Sequence, residues 1–193
     1  MAVLSREEFD AIEFDAACTG DHTAAAERMT ALAISGVQSE SMPRAEAFVR
    51  AGEQWLLADN PSAAADDFRM AMADGGPVDV DPRVSLSRAL FALGSHDEAY
   101  ELIGELASEG RSDPRACDML AELLVEQSDL PGALDWATVG VELILQGAKS
   151  GSTERAAGDG DSYAGLDDLL RLRYRIRNDL RLPEDEYDRM LST

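Results

Sequence analysis

An alanine followed by apolar or small residues four and seven positions later recurs along the chain, and this spacing constrains the fold more than any other feature. Positions i, i+4 and i+7 lie on one face of an α-helix, so each recurrence predicts a helix with a buried stripe. The alanines of the last three sets lie 35 and 34 residues apart, which indicates a repeated helical unit. The four sets are Ala25, Met29 and Leu32; Ala64, Phe68 and Ala71; Ala99, Ile103 and Leu106; and Ala133, Ala137 and Gly140.

Helix start signals divide the chain into short helices. Residues 5–8 and 95–98 both read S-x-x-E, the capping box that satisfies free backbone N–H groups at a helix N-terminus. Asp81 and Asp113 are each followed by Pro and Arg, and Pro is well suited to the first helical position. Because the intervening turns are short, we expect neighbouring helices to form antiparallel pairs. The predicted helices lie near residues 6–18, 22–35, 43–58, 61–74, 82–93, 96–109, 114–127 and 131–147.

Helix–turn–helix units with a period of about 34 residues resemble the tetratricopeptide repeat family, and the resemblance covers residues 6–147. The units at residues 43–74 and 82–109 follow the family pattern best. Departures from it are Glu13, at a position that is small in the family, and the small residues Ala137 and Gly140 at positions of larger ones. The resemblance implies an all-α, right-handed superhelix of antiparallel helix pairs. The alternative is a helical bundle in which the spacing is accidental. Twelve residues before the recurring alanines lie Glu13, Gly52, Ser87 and Ala121. Nine residues before them lie Ala16, Trp55, Leu90 and Leu124. Five residues before them lie Gly20, Asp59, Gly94 and Ser128.

Composition changes after this array. We divide the chain into a helical repeat array over residues 1–147, a flexible linker over residues 148–165 and a C-terminal segment over residues 166–193. The linker is rich in Gly, Ser and Asp. The C-terminal segment is predicted to form a helix that packs on or beside the array and caps it. In the alternative, this helix docks a partner or a second copy of the chain. Its stretch RLRYRIR also alternates with period two, so a strand is the alternative. The candidate docking residues are Arg171, Arg173, Arg175 and Arg177.

The charge of the chain limits its partners. The formal net charge is −21, from 38 acidic and 17 basic residues. A field of this sign repels nucleic acid phosphates and anionic lipids and attracts basic proteins. We therefore expect a basic protein or peptide as partner, no direct binding of nucleic acid, and no membrane binding. The N-terminus has no signal-peptide apolar core, and no segment reaches the roughly 18 apolar residues of a membrane span, so a cytoplasmic protein is expected.

Signatures of chemistry are sparse. Cys18, Cys117, His22 and His96 are isolated, so we expect neither a metal site nor a cofactor. The histidines occupy equivalent positions at the starts of two helices, which indicates turn or packing roles. The sequence has no phosphate-binding glycine loop after a strand and no nucleophile elbow. The expected protein is therefore not an enzyme.

The family resemblance also implies a binding site. In tetratricopeptide repeats the first helices of the pairs line a concave groove that holds extended peptides. A groove that mixes carboxylates and apolar side chains predicts a basic segment with apolar anchors as ligand. We therefore expect a scaffold or adaptor; the alternative is an acidic regulator that mimics nucleic acid and occupies the DNA- or RNA-binding site of a basic protein. It also remains open that these are merely exposed helix positions. The implied groove residues are Glu46, Val49, Glu53, Leu56, Val84, Arg88, Phe91, Arg115, Asp118, Glu122 and Val125.

Overall fold

The computed structural model describes residues 3–110, 113–149 and 164–191, and this part of the chain is built from helices. It contains no strand, only an isolated bridge between Val3 and Val37. The all-α prediction is therefore confirmed. The helices are α1 (Arg6–Thr19), α2 (His22–Ser35), α3 (Arg44–Leu57), α4 (Pro61–Asp74), α5 (Pro82–Ala92), α6 (His96–Glu109), α7 (Pro114–Glu126), α8 (Leu130–Lys149), α9 (Ala164–Asp179) and α10 (Glu186–Met190).

Two of the predicted start signals, Ser5 and Asp113, form helix caps. The Ser5 hydroxyl accepts a hydrogen bond from the backbone N–H of Glu8 at 3.2 Å, and the Asp113 carboxylate accepts one from the backbone N–H of Ala116 at 2.9 Å. Each of these bonds satisfies a backbone donor that has no partner inside its helix. The predicted bounds therefore agree closely with the observed ones, although α8 extends two residues beyond residue 147.

The chain forms two compact units, Met1–Ser108 and Glu109–Thr193. In the first unit each of the helices α1 to α5 packs against the next one, and α3 also contacts α5. Gly52 of α3 lies close to the neighbouring helix α4. A Cβ atom at Gly52 would lie only 2.5 Å from a ring carbon of Phe68 on α4, so the absent side chain lets the two helices approach closely.

In the second unit α7 packs against α8, and α9 packs against both of them. The alternative of a strand at RLRYRIR is wrong, because Leu169, Leu172 and Ile176 form a buried face of α9. Gly140 of α8 fits this arrangement. A Cβ atom there would lie 2.9 Å from Leu169 and 3.0 Å from Cys117, so the departure from the repeat pattern makes room for α9.

The predicted linker over residues 148–165 lies mostly outside the described residues. At its two ends, residues 148–149 belong to α8 and residues 164–165 belong to α9. None of the helices described is both long enough and apolar enough to cross a lipid bilayer.

Candidate partner-binding surfaces

The groove positions on α3 are largely packed inside the first unit. Val49 is 4% exposed, and Glu46 is buried with a carboxylate that accepts a hydrogen bond from the Asp79 backbone N–H at 2.9 Å. Glu53 and Leu56 are half-buried. Glu46 therefore holds the loop before α5, while Glu53 and Leu56 keep part of their surface in solvent.

The groove positions on α5 have a similar environment. Val84 is 2% exposed and Phe91 is 6% exposed, whereas Arg88 is half-buried. The Phe91 ring lies edge-on to that of Tyr100, with ring centroids 5.2 Å apart, and also contacts the ring of His96. Val84 and Phe91 are thus core residues, and in the first unit only Leu56 among the predicted apolar anchors is partly accessible.

Sequence reasoning missed a buried arginine in the first unit. The Arg50 guanidinium donates hydrogen bonds to Glu13 at 2.7 Å and to Asp10 at 2.6 Å, and it lies over the ring of Phe9. Burial alone would lower the pKa of Arg50, but the hydrogen bonds to Glu13 and Asp10 raise it above its usual value. The Glu13 carboxylate neutralises the charge of Arg50 on α3, and this accounts for an acidic residue at a position that is small in the repeat pattern.

The groove positions of the second unit form a more open surface. Arg115 and Glu122 are exposed, while Asp118 and Val125 are half-buried. All four lie on one face of α7, as their spacing predicts. The groove residues are therefore divided between the two units, and those on α7 have the greater access to solvent.

A carboxylate of α9 joins this face, and sequence reasoning did not place it there. Burial raises the pKa of Asp118, and the nearby charges of Glu122 and Asp168 raise it further. In the described part of the chain no arginine forms an ion pair with any of these three residues. We call Asp118, Glu122 and Asp168 the acidic cluster. Asp168 is not among the predicted groove residues, because its place beside α7 depends on the packing of α9.

The four tail arginines have different environments. Arg173 is buried and donates to Asp185 and Asp188, and its guanidinium stacks on the ring of Tyr187. Arg177 donates to the same two carboxylates. These contacts attach α10 to α9, and hydrogen bonding by Arg173 lowers the pKa of Asp185 to about 2.

The other two tail arginines, Arg171 and Arg175, face solvent. Arg171 pairs with Asp167 of its own helix at 2.7 Å, in a pair with both side chains more than half exposed. No described carboxylate pairs with Arg175. Of the four predicted docking arginines, Arg173 and Arg177 are therefore bonded within the protein, whereas Arg171 and Arg175 are exposed to solvent.

Residues with possible catalytic or metal-binding chemistry are dispersed. The His22 ring hydrogen bonds to the Gln54 side chain at 2.9 Å, linking α2 to α3. An open cavity of about 400 Å³ between α1 and α2 is lined by alanines together with polar side chains, among which Glu8 and Arg28 pair with each other. Among the residues described, no group of three or more His, Cys, Asp or Glu could hold a metal ion.

Comparisons with known proteins leave the family open. No protein-family model matches the chain, and no curated protein is significantly similar to it. The assignment that follows from the structure is therefore an all-helical protein with consecutively packed helices, compatible with helical repeats.

Proposed function

We propose that this protein is a non-enzymatic interaction module of the tetratricopeptide-like type that binds a basic segment of a protein partner. The observation that carries the proposal is the acidic cluster on α7 and α9. Two of its three members, Asp118 and Glu122, are positions at which the family resemblance implies ligand contact. The third, Asp168, adds charge to the same place.

The electrostatics of the cluster favour a cationic ligand. Burial is the main cause of the raised pKa of Asp118, and the like charges of Glu122 and Asp168 raise it further, because neighbouring like charges disfavour ionisation of one another. An arginine or lysine bound between these carboxylates reverses the effect and favours their ionised forms. A basic partner would therefore relieve a repulsion that the free protein carries at neutral pH.

Packing supports the repeat part of the proposal. The helices follow one another as short neighbouring elements, and small residues occur where the repeat pattern requires close helix contact, as at Gly52. Half-buried Glu53 and Leu56 on α3 offer a second, smaller acidic and apolar surface in the first unit. Most of the predicted apolar anchors there are core residues, so we assign the main ligand contact to α7.

The test is a calorimetric titration with a synthetic peptide of alternating Arg and Leu. We expect Glu122→Gln to weaken binding several-fold, since one charge–charge contact at an exposed site contributes up to about 1 kcal/mol. Asp135→Asn is the matched control, because Asp135 is an exposed carboxylate on α8 outside the cluster. Equal losses in both variants would show that only the overall charge matters, and would refute a defined site.

The natural partner can then be captured from cell extract and identified by mass spectrometry. An adaptor should keep that partner when double-stranded DNA is added. Loss of the partner to DNA would instead favour the nucleic-acid-mimicking regulator, because the mimic and the DNA would compete for one surface of the partner.

A further inference from the structure

The last helix, α10, is attached to the second unit mainly through polar groups. Its only buried residue is Asp188, and Met190 is 39% exposed. Tyr187 is half-buried, and its hydroxyl donates a hydrogen bond to Glu142 of α8 at 3.3 Å. A helix of five residues is too short to be stable by itself in water. The helical form of this segment therefore depends on its contacts with α8 and α9, and no buried apolar side chain of α10 contributes to them.

Two arginines of α9 receive this segment. Arg173 is 4% exposed, and its guanidinium donates hydrogen bonds to Asp185 at 3.0 Å and to Asp188 at 3.3 Å. Arg177 contacts the same two carboxylates, Asp185 at 3.1 Å and Asp188 at 2.9 Å. Arg173 Nε also donates to the Thr138 hydroxyl of α8 at 3.0 Å, which holds the guanidinium in place. We call Arg173 and Arg177 the paired-arginine site.

The site is matched to two carboxylates that lie three residues apart. Asp185 is the N-cap of α10 and Asp188 lies in its first turn, and the carboxylate of each accepts a hydrogen bond from the backbone N–H of the other. This capping box fixes the separation of the two carboxylates, so that both of them contact both guanidiniums. The ring of Tyr187 adds a cation–π contact, because its centroid lies 4.8 Å from the Arg173 guanidinium carbon.

We propose that the paired-arginine site is a binding site for acidic peptide segments of the pattern Asp-x-x-Asp, and that α10 occupies it as an intramolecular ligand. The segment is then a strap that leaves the site without opening the apolar contacts of α9, which are made by Leu169, Leu172 and Ile176. Release of the strap presents two positioned guanidiniums to a segment of a partner. The site shares no residue with the acidic cluster, so it is independent of the proposed binding of a basic segment.

The connection within one chain favours the closed strap. Residues 180–185 join α9 directly to α10, and so short a tether gives the strap an effective concentration on the order of millimolar. The net charge of −21 also opposes the approach of a separate acidic segment. An external segment should therefore bind measurably only when the strap is weakened.

Titration calorimetry of full-chain variants with a synthetic peptide of residues 182–191 tests the proposal. The double variant Asp185→Asn, Asp188→Asn loses both carboxylates that the arginines bind, so it should bind the peptide about tenfold or more tighter than wild type does. The matched control is Glu184→Gln, Glu186→Gln, which removes two charges from exposed positions of the same segment and should bind as weakly as wild type. Equal affinities of the two double variants, or equal binding of a peptide that carries the same two Asn substitutions, would overturn the proposal.

A second measurement separates release of the strap from a failure to fold. A specific protease site is inserted after Leu182, which is 41% exposed, and the full chain is cut after it has folded. The cut segment should dissociate on dilution, the helical circular dichroism of the remaining chain should persist, and added peptide should rebind. Loss of that helical signal on cutting, or a remaining chain that does not rebind the peptide, would show that α10 is an integral part of the fold and would overturn the proposal.

Discussion

Replacement of Asp67 by Asn should stabilise the fold at neutral pH. Asp67 lies on α4 and is 4% exposed. Its carboxylate accepts a hydrogen bond from the Thr30 hydroxyl at 2.6 Å, and that hydroxyl accepts one from Trp55 Nε1 at 3.3 Å. Burial raises the pKa of Asp67 to about 6, although the hydrogen bonding by Thr30 and Trp55 acts in the opposite direction.

The sign of the pH dependence follows from this raised pKa. The folded chain binds the Asp67 proton more tightly than the unfolded chain, in which the carboxyl has an ordinary pKa near 3.8. The resulting stability is fully present below pH 4 and is lost as the pH rises through about 6. The difference in pKa corresponds to about 3 kcal/mol. An Asn amide is neutral throughout and can still accept from Thr30, but its buried N–H groups cost about 1 kcal/mol. We expect a gain of about 1–2 kcal/mol at pH 7.

Urea titrations followed by far-ultraviolet circular dichroism between pH 4 and pH 8 provide the measurement. The stability of Asp67→Asn relative to wild type should be highest at pH 7 and above, and should fall as the pH drops towards 4. Asp74→Asn is the control, because Asp74 is an exposed carboxylate on the same helix and does not contribute to the raised pKa of Asp67. A difference between Asp67→Asn and wild type that stays constant across this range would refute the reasoning, since the ionised carboxylate would then carry no burial penalty.

Three further predictions concern packing, a buried charge and thiol reactivity. Gly52→Ala should lower the free energy of unfolding by about 1–3 kcal/mol in urea titrations, because the added methyl collides with the facing phenylalanine ring. Gly104→Ala, which points into open space on α6, should instead raise it by about 0.5–1 kcal/mol. Arg173→Met should cost about 2–3 kcal/mol and lower the melting temperature, because buried Asp188 then keeps only Arg177 of the two arginines that donate to it. A thiol reagent should label exposed Cys18 in native protein and buried Cys117 only after unfolding, as judged by mass spectrometry, since burial raises the pKa of the Cys117 thiol to about 12. Equal effects of the two glycine variants, an unchanged melting temperature or rapid labelling of both thiols would contradict these expectations.

The helix boundaries could be predicted from the sequence because they depend on local chemistry. Ser5 and Asp113 cap their helices through backbone groups only three residues away. The small residue at Gly52 followed from the repeat spacing, although the identity of the ring against it did not. Such features are determined by neighbours along the chain or by a regular period, and both are visible in one sequence.

Other features depend on contacts between distant residues, which the sequence pattern does not specify. In the sequence, Glu13 only departs from the repeat pattern. The structure shows that it pairs with Arg50, which lies 37 residues later in the chain. Gly140 likewise accommodates α9, whose Leu169 lies against it. The tail arginines alternate in sequence, but only the packing of α9 separates Arg173, which is buried, from Arg175, which is exposed.

Burial also changes the interpretation of the predicted groove. The family resemblance implies that Val49 and Val84 line a groove, but the sequence could not show that both side chains are covered. The pattern of exposed carboxylates was more informative on α7, where Asp118 and Glu122 lie on the accessible side. The contribution of Asp168 to the same surface required the position of α9.

Amide chemical shift mapping tests the central claim most directly. Isotope-labelled protein is titrated with the peptide of alternating Arg and Leu, and the shift changes are assigned along the chain. Binding at the acidic cluster predicts the largest changes on α7 around Asp118 and Glu122, together with the start of α9 at Asp168. Small changes spread over all acidic helices, or a maximum elsewhere in the chain, would contradict the account.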